Sequence, residues 1–166
     1  MVYCPSSNAY VSADKIVSFQ QKEWWFKQIK KVPENDYCFD CGRQNPDCVS
    51  SKNGVLICGH CQDAHKAQLG VAYSASKSIE LDSWNQTELQ ILWNGGNCKL
   101  REFLSGYGLP GDNPYDFQEK YTTVACDYYR RWLLSQATSA PFTEQAPHYD
   151  AGRNQLGGSS HYTGSN

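Results

Sequence analysis

The sequence predicts an α+β fold: a small domain, mostly helical, with a short β-sheet beside four clustered cysteines. Three observations predict it. Two Cys-x-x-Cys pairs, Cys38/Cys41 and Cys58/Cys61, are separated by sixteen residues. Short β runs, Val55-Leu56-Ile57 and Ser78 to Leu81, lie beside the second pair and after it. Several stretches with helical spacing of apolar residues surround them.

The cysteine spacing carries the chemistry. A two-residue gap lets one tight turn aim two thiolates at one point, and about 15–20 residues is the usual return length to a second such turn. Zinc takes four sulfurs in a tetrahedron at about 2.3 Å. Cys38, Cys41, Cys58 and Cys61 are therefore the expected ligands of one structural Zn²⁺, with no open position for substrate. Gly42 suits the first turn because glycine tolerates positive φ. The second pair is expected to open a helix, whose first amides favour thiolate charge. Disulfides would need an oxidising compartment, and no secretory signal is visible at the N-terminus. A redox-active thiol pair comes as one Cys-x-x-Cys, not two.

Taken in order, residues 1–13 lack periodicity and are expected to form an N-terminal arm. Ser12 or Asp14 is placed as the cap of a helix running to Lys31. Its stripe is Ile16, Phe19, Phe26 and Ile29 with Trp25 alongside, and Pro33 ends it. Asn45-Pro46-Asp47 and Asn53-Gly54 are turns. Helices follow over 60–69, stopped by Gly70, and over 84–94, capped by Asp82 or Ser83 and stopped by Gly95-Gly96. A short helix covers 97–104, and a last one starts at Asn113-Pro114. Its stripe is Phe117, Tyr121, Val124, Ala125, Tyr128 and Trp132. The domain is placed at 14–135, with an extended Gly/Ser/aromatic tail over 136–166.

Composition narrows the function. The chain has 166 residues, a net charge of −2 and a pI near 6.1, so no broad basic field exists for phosphate backbones. A nucleic-acid-binding finger would carry a dense basic segment after the cysteines; Lys66, Lys77, Lys99 and Arg101 are instead dispersed among acids. No apolar run approaches the roughly 20 residues that span a bilayer. Eight cysteines without a leader point to a reducing, intracellular compartment. Cytoplasm is the default, and an organelle-associated complex such as a mitochondrial one is the alternative.

The motifs resemble one family. Cys-x2-Cys-x16-Cys-x2-Cys, then His65, Leu69-Gly70, Ser78-Ile79-x-Leu81-Asp82-x-Trp84, Glu88-Leu89, Gly95-Gly96-Asn97 and Phe103-Leu104, resemble the zinc module of the Arf GTPase-activating proteins from about Asp14 to Ser135. The resemblance implies the fold and the zinc. It also implies an activity in trans: an arginine five residues after the fourth cysteine neutralises charge on the transferred phosphoryl group of a GTPase, worth roughly 10³–10⁵ in rate. Here that position is Lys66, which keeps the charge but loses the planar fork. A second family arginine is Lys77, and the family tryptophan between the pairs falls at Cys48. His65 is expected to be structural.

These departures lead to the expectation of a catalytically degenerate member. It would not be an enzyme; it would serve as a structural or protein-interaction subunit of a larger assembly. The alternative is a working activator of an Arf-type small GTPase using Lys66, or borrowing Arg43 or Arg101.

Overall fold

The computed structural model describes residues 15–109 and 117–157. The predicted arm, its cap candidates Ser12 and Asp14, and the Asn113-Pro114 start lie outside the described residues.

Helix α1 (Phe19–Ile29) begins later than predicted because Ser18 caps it, in a reciprocal box with Gln21. The buried stripe shifts accordingly: Trp25, Phe26 and Ile29 pack inward, whereas Ile16 and Phe19 are exposed. A 3-10 turn (Pro33–Asp36) leads to the first cysteine pair. Strands β1 (Cys48–Ser50) and β2 (Val55–Ile57) form a hairpin through the Asn53-Gly54 turn, where Gly54 has φ +63°. Then come α2 (Gly59–Gln68), α3 (Gly70–Tyr73) and β3 (Ser76–Ser78). The sheet order is β2-β1-β3, all antiparallel. β3 ends where the predicted strand was to begin, and Leu81 protrudes with 89% exposure from a turn tied by Ser78 and Asp82.

Helix α4 (Gln86–Asn94) is capped by Asn85, boxed with Glu88, rather than by Asp82 or Ser83. Helix α5 (Asn97–Ser105) follows. The predicted last helix is two: α6 (Phe117–Tyr121) and α7 (Val124–Thr138). Thr123 interrupts it, its hydroxyl accepting from the Cys126 amide to cap α7 afresh. The restart resets the helical phase. The buried stripe of α7 is Ala125, Cys126, Tyr129 and Leu133, while Val124, Tyr128 and Trp132 are only half-buried.

The sheet explains its own apolar composition. Val55 and Ile57 face one core with Leu100, Leu104, Tyr121, Tyr129 and Leu133; Leu56 faces another with Trp25, Phe26, Trp84, Leu89 and Leu92. Alternate residues of β2 thus serve opposite faces, so all three are apolar. Cys38, Cys58 and Cys61 belong to the first core, while Cys41 is exposed at its edge.

Over residues 140–157 the chain does not trail away, and the rest of the predicted tail, 158–166, lies outside the described residues. Phe142 packs on Tyr128 at 5.5 Å, Glu144 pairs with Arg131, and the Tyr107 hydroxyl donates to the Pro147 carbonyl at 2.7 Å. Helix α8 (Tyr149–Gly152) then returns the chain to the start of α7, where Val124 and Leu156 amides bond across the junction. Gly152 lies under Tyr107: a Cβ there would meet Tyr107 Cε1 at 2.3 Å. Gly152→Ala is expected to lower stability by about 1–3 kcal/mol and to open 140–157 to protease. Thermal melting with timed proteolysis reads both; parental resistance would overturn this.

Candidate functional site

The four cysteines converge because each pair is built into a local turn. Cys38 N–H donates to Arg43 O at 2.7 Å and Gly42 N–H to Cys38 O at 2.9 Å, closing a knuckle with Gly42 at φ +76°. Cys58 caps α2, its sulfur accepting from the Cys61 amide. All four Sγ atoms lie within 4.8 Å of one another, and Cys41 and Cys58 sulfurs are 3.6 Å apart. A zinc–sulfur bond of 2.3 Å gives a tetrahedron edge of about 3.8 Å, so the donor set and its spacing fit Zn²⁺. A hydrogen bond from Cys61 lowers the Cys38 thiol to about 5, while that same bond and burial push Cys61 upward. Arg101 braces the first knuckle, its guanidinium over the Phe39 ring at 5.2 Å and donating to Phe39 O.

Asp40, between the first two cysteines, anchors a buried polar network. Its carboxylate meets His65 Nε2 at 2.7 Å, Lys120 Nζ at 2.5 Å and the Tyr121 hydroxyl at 2.9 Å. His65 Nδ1 bonds Ser74 Oγ at 2.7 Å, Ser74 bonds Ser50, and Asn53 joins Ser50 to Arg130. Burial alone would raise the Asp40 carboxyl; the His65 hydrogen bond and the Lys120 charge outweigh it and hold it below its usual value. An ionised carboxylate can only accept, so Nε2 carries the proton. The order Asp40–His65–Ser74 resembles a nucleophilic triad, but all three are buried at 1% exposure or less, closed to any substrate. His65 is structural, as expected. Sequence reasoning missed Asp40, Ser74, Lys120 and Arg130. The one available signal was an acid inside a metal-binding turn.

Lys66, next to His65 on α2, is exposed. Its charge reaches the buried Cys48, whose thiol donates to Gln62 Oε1 at 3.2 Å and is pushed up to about 12 by burial and Asp47. Lys77 is occupied: it pairs with Glu88 at 2.6 Å, donates to Ser83 O and lies over the Trp84 ring at 4.7 Å. Arg101 serves the knuckle, and Arg43 is exposed beside it. The sequence-predicted metal ligands are thus brought together, and the basic candidates are sorted by what already holds them.

Comparison with known proteins matches residues 23–137 to the family described as "Putative GTPase activating protein for Arf". The chain belongs to the ArfGAP family. It is 37% identical over 116 residues to ADP-ribosylation factor GTPase-activating protein 3 of Macaca fascicularis, covering 69% of this chain and 22% of that protein. Over 110 residues it is 36% identical to ADP-ribosylation factor GTPase-activating protein GCS1 of Saccharomyces cerevisiae, covering 60% of this chain and 31% of the relative. The chain therefore spans about a fifth to a third of these ArfGAP relatives. A solved structure described as "putative GTPase activating protein for ADP ribosylation factor from Cryptosporidium parvum" superposes with TM-score 0.68 at 27% identity, covering 76% of this chain and 99% of that one. The "ArfGap domain of HIV-1 Rev binding protein" shares the fold, with TM-score 0.51 at 23% identity over 72% of this chain and 96% of that one.

One expectation is corrected here. The sequence reading, resting on Lys66, took the chain not to be an enzyme. The matching family is described, and its relatives are named, as GTPase-activating proteins, and the departures at Lys66, Lys77 and Cys48, two of which keep the positive charge, do not outweigh that.

Proposed function

We propose that this ArfGAP domain stimulates GTP hydrolysis by an Arf-type small GTPase, with Lys66 supplying positive charge in trans. The observation that carries the reading is the contrast between Lys66 and its alternatives. Lys66 is exposed on a helix whose neighbouring His65 is locked by two 2.7 Å hydrogen bonds. Lys77 and Arg101 are spent on Glu88 and Phe39, and Arg43, exposed as Lys66 is, stands on the irregular stretch after Cys41 and not on a helix. A cation held out from a rigid helix can meet charge developing on a transferred phosphoryl group without reorganising. Lysine offers a point charge instead of a fork, so the stimulation is expected to be weaker than an arginine would give. One Zn²⁺ on Cys38, Cys41, Cys58 and Cys61 would be structural; when bound it ties the two turns together and fixes the start of α2.

Single-turnover GTP hydrolysis by an Arf-type GTPase tests this. Lys66→Ala is expected to cost at least about a hundredfold of the stimulated rate, and Lys66→Arg to raise it about tenfold. Stimulation that survives Lys66→Ala would overturn the role of Lys66. No stimulation by the parent chain would overturn the activity itself and favour a purely binding role.

A further inference from the structure

A groove with a volume of about 610 Å³ runs between α3, the β3 edge, α4 and α7, and the function above does not use it. Its floor is apolar: Val71, Ala75, Ile91 and Leu134. Val71 is 74% exposed and Leu134 48%, large apolar side chains that a folded domain ordinarily covers. Its charged lining is mostly basic: Lys52, Lys77, Arg130 and Arg131 stand against Glu88, with Asp127 and Glu144 paired to the two arginines at its rim.

We propose that this groove binds an extended acidic segment of a partner protein, with apolar side chains seated between α3 and α7 and carboxylates on Lys52 and Arg131. The chain itself supplies a precedent. The segment after α7 lies along that helix by the same means: Phe142 packs edge-on against Tyr128 while Glu144 pairs with Arg131, which also meets Asp127. Arg131 is therefore placed between one acidic extended stretch and the open groove. Its pairs are 45% exposed on the arginine side, the kind of surface ion pair that exchanges partners at little cost. Lys52 is exposed too, with a 3.4 Å bond to the Ala72 carbonyl.

A compact anion such as phosphate fits less well. Arg130 directs one nitrogen inward to Asn53 Oδ1 and the Tyr121 carbonyl, with Asp127 3.7 Å from another, and Lys77 is held by Glu88. The remaining cations sit on different elements, so their charges do not converge on one point. A chain that carries its acids several residues apart can meet them in turn, and arginine beside apolar area is the usual makeup of such interfaces.

The test selects a displayed library of random peptides of about twelve residues on the full chain, then measures binding of the enriched peptides by fluorescence anisotropy. Enriched sequences are expected to alternate Asp or Glu with Leu, Ile or Phe. Leu134→Glu and Arg131→Glu, at exposed positions, should each weaken them about tenfold or more, while stimulation of GTP hydrolysis stays at the parental rate. Basic or uncharged consensus sequences, no enrichment, or affinities unchanged in both variants would overturn the proposal. So would binding to phosphatidylcholine–phosphatidylserine vesicles that both variants abolish, since the groove would then serve a lipid surface.

Discussion

Removing the metal proposed for the four cysteines is expected to unfold the domain. The sulfurs of Cys38, Cys58 and Cys61 are buried, and these residues belong to the same core as Leu100, Leu104 and Tyr121. Binding of a structural zinc is worth about 10–16 kcal/mol in small metal-dependent domains, against a total folding stability of about 5–15 kcal/mol. Loss of the ion therefore removes an amount comparable to the whole stability of a domain this size. A single-site variant should match chelation: Cys61→Ser places a hydroxyl where the fourth thiolate would complete the tetrahedron, so a structural zinc would keep three of its four sulfur ligands. Circular dichroism during titration with a chelator, with elemental analysis of the starting material, checks this. One zinc per chain and loss of helical signal on chelation are the expected results. A native spectrum and an unchanged denaturation midpoint after full metal removal would show that packing alone holds the cluster.

The four-cysteine cluster was legible in the sequence because both of its halves are local. Each Cys-x-x-Cys is a turn of a few residues, and only their separation is long-range. The apolar run Val55-Leu56-Ile57 was legible for a similar reason, since a strand covered on both faces needs no polar position. Helix boundaries were less so. Ser18, Asn85 and Thr123 are ordinary polar residues until their hydroxyl or amide oxygen is seen accepting from the third residue onward. The pair Thr122-Thr123 inside an apolar stripe was the available hint of a break. Missing it misassigned the buried face of α7. The packing of 140–157 could not be read at all: its anchors, Tyr107 and Tyr128, stand 40 and 16 residues before the carbonyls they bond, and its own composition matches that of a free tail. The polarity of the interior was hidden in the same way. Lys120 and Arg130 look solvated in sequence, yet Lys120 is fully buried against Asp40 and Arg130 is nearly so.

That burial gives the second large expected effect. Asp40→Ala should destabilise the zinc-loaded domain by about 3–5 kcal/mol, because a buried cation that loses its carboxylate keeps its desolvation cost without the attraction that offset it. The loss reaches three elements at once, since the same carboxylate holds His65 on α2 and both Lys120 and Tyr121 on α6. Asp40→Asn separates charge from hydrogen bonding. It can still bond Tyr121 and His65, so what it loses is mainly the charge facing Lys120. Adding Lys120→Met then removes the cation in turn, and a linear apolar side chain of similar length fills the space. The double variant Asp40→Asn/Lys120→Met is therefore expected to be more stable than Asp40→Asn alone, although it differs from the parent at two buried positions. Urea denaturation in excess zinc measures all three midpoints, with metal content checked in each. An Asp40→Ala cost below about 1 kcal/mol would mean water reaches Lys120 and the pair is no buried pair. A double variant weaker than Asp40→Asn would mean Lys120 is held chiefly by its stacking on Phe39 and Tyr121, where its ammonium lies 5.0 and 5.1 Å from the ring centres.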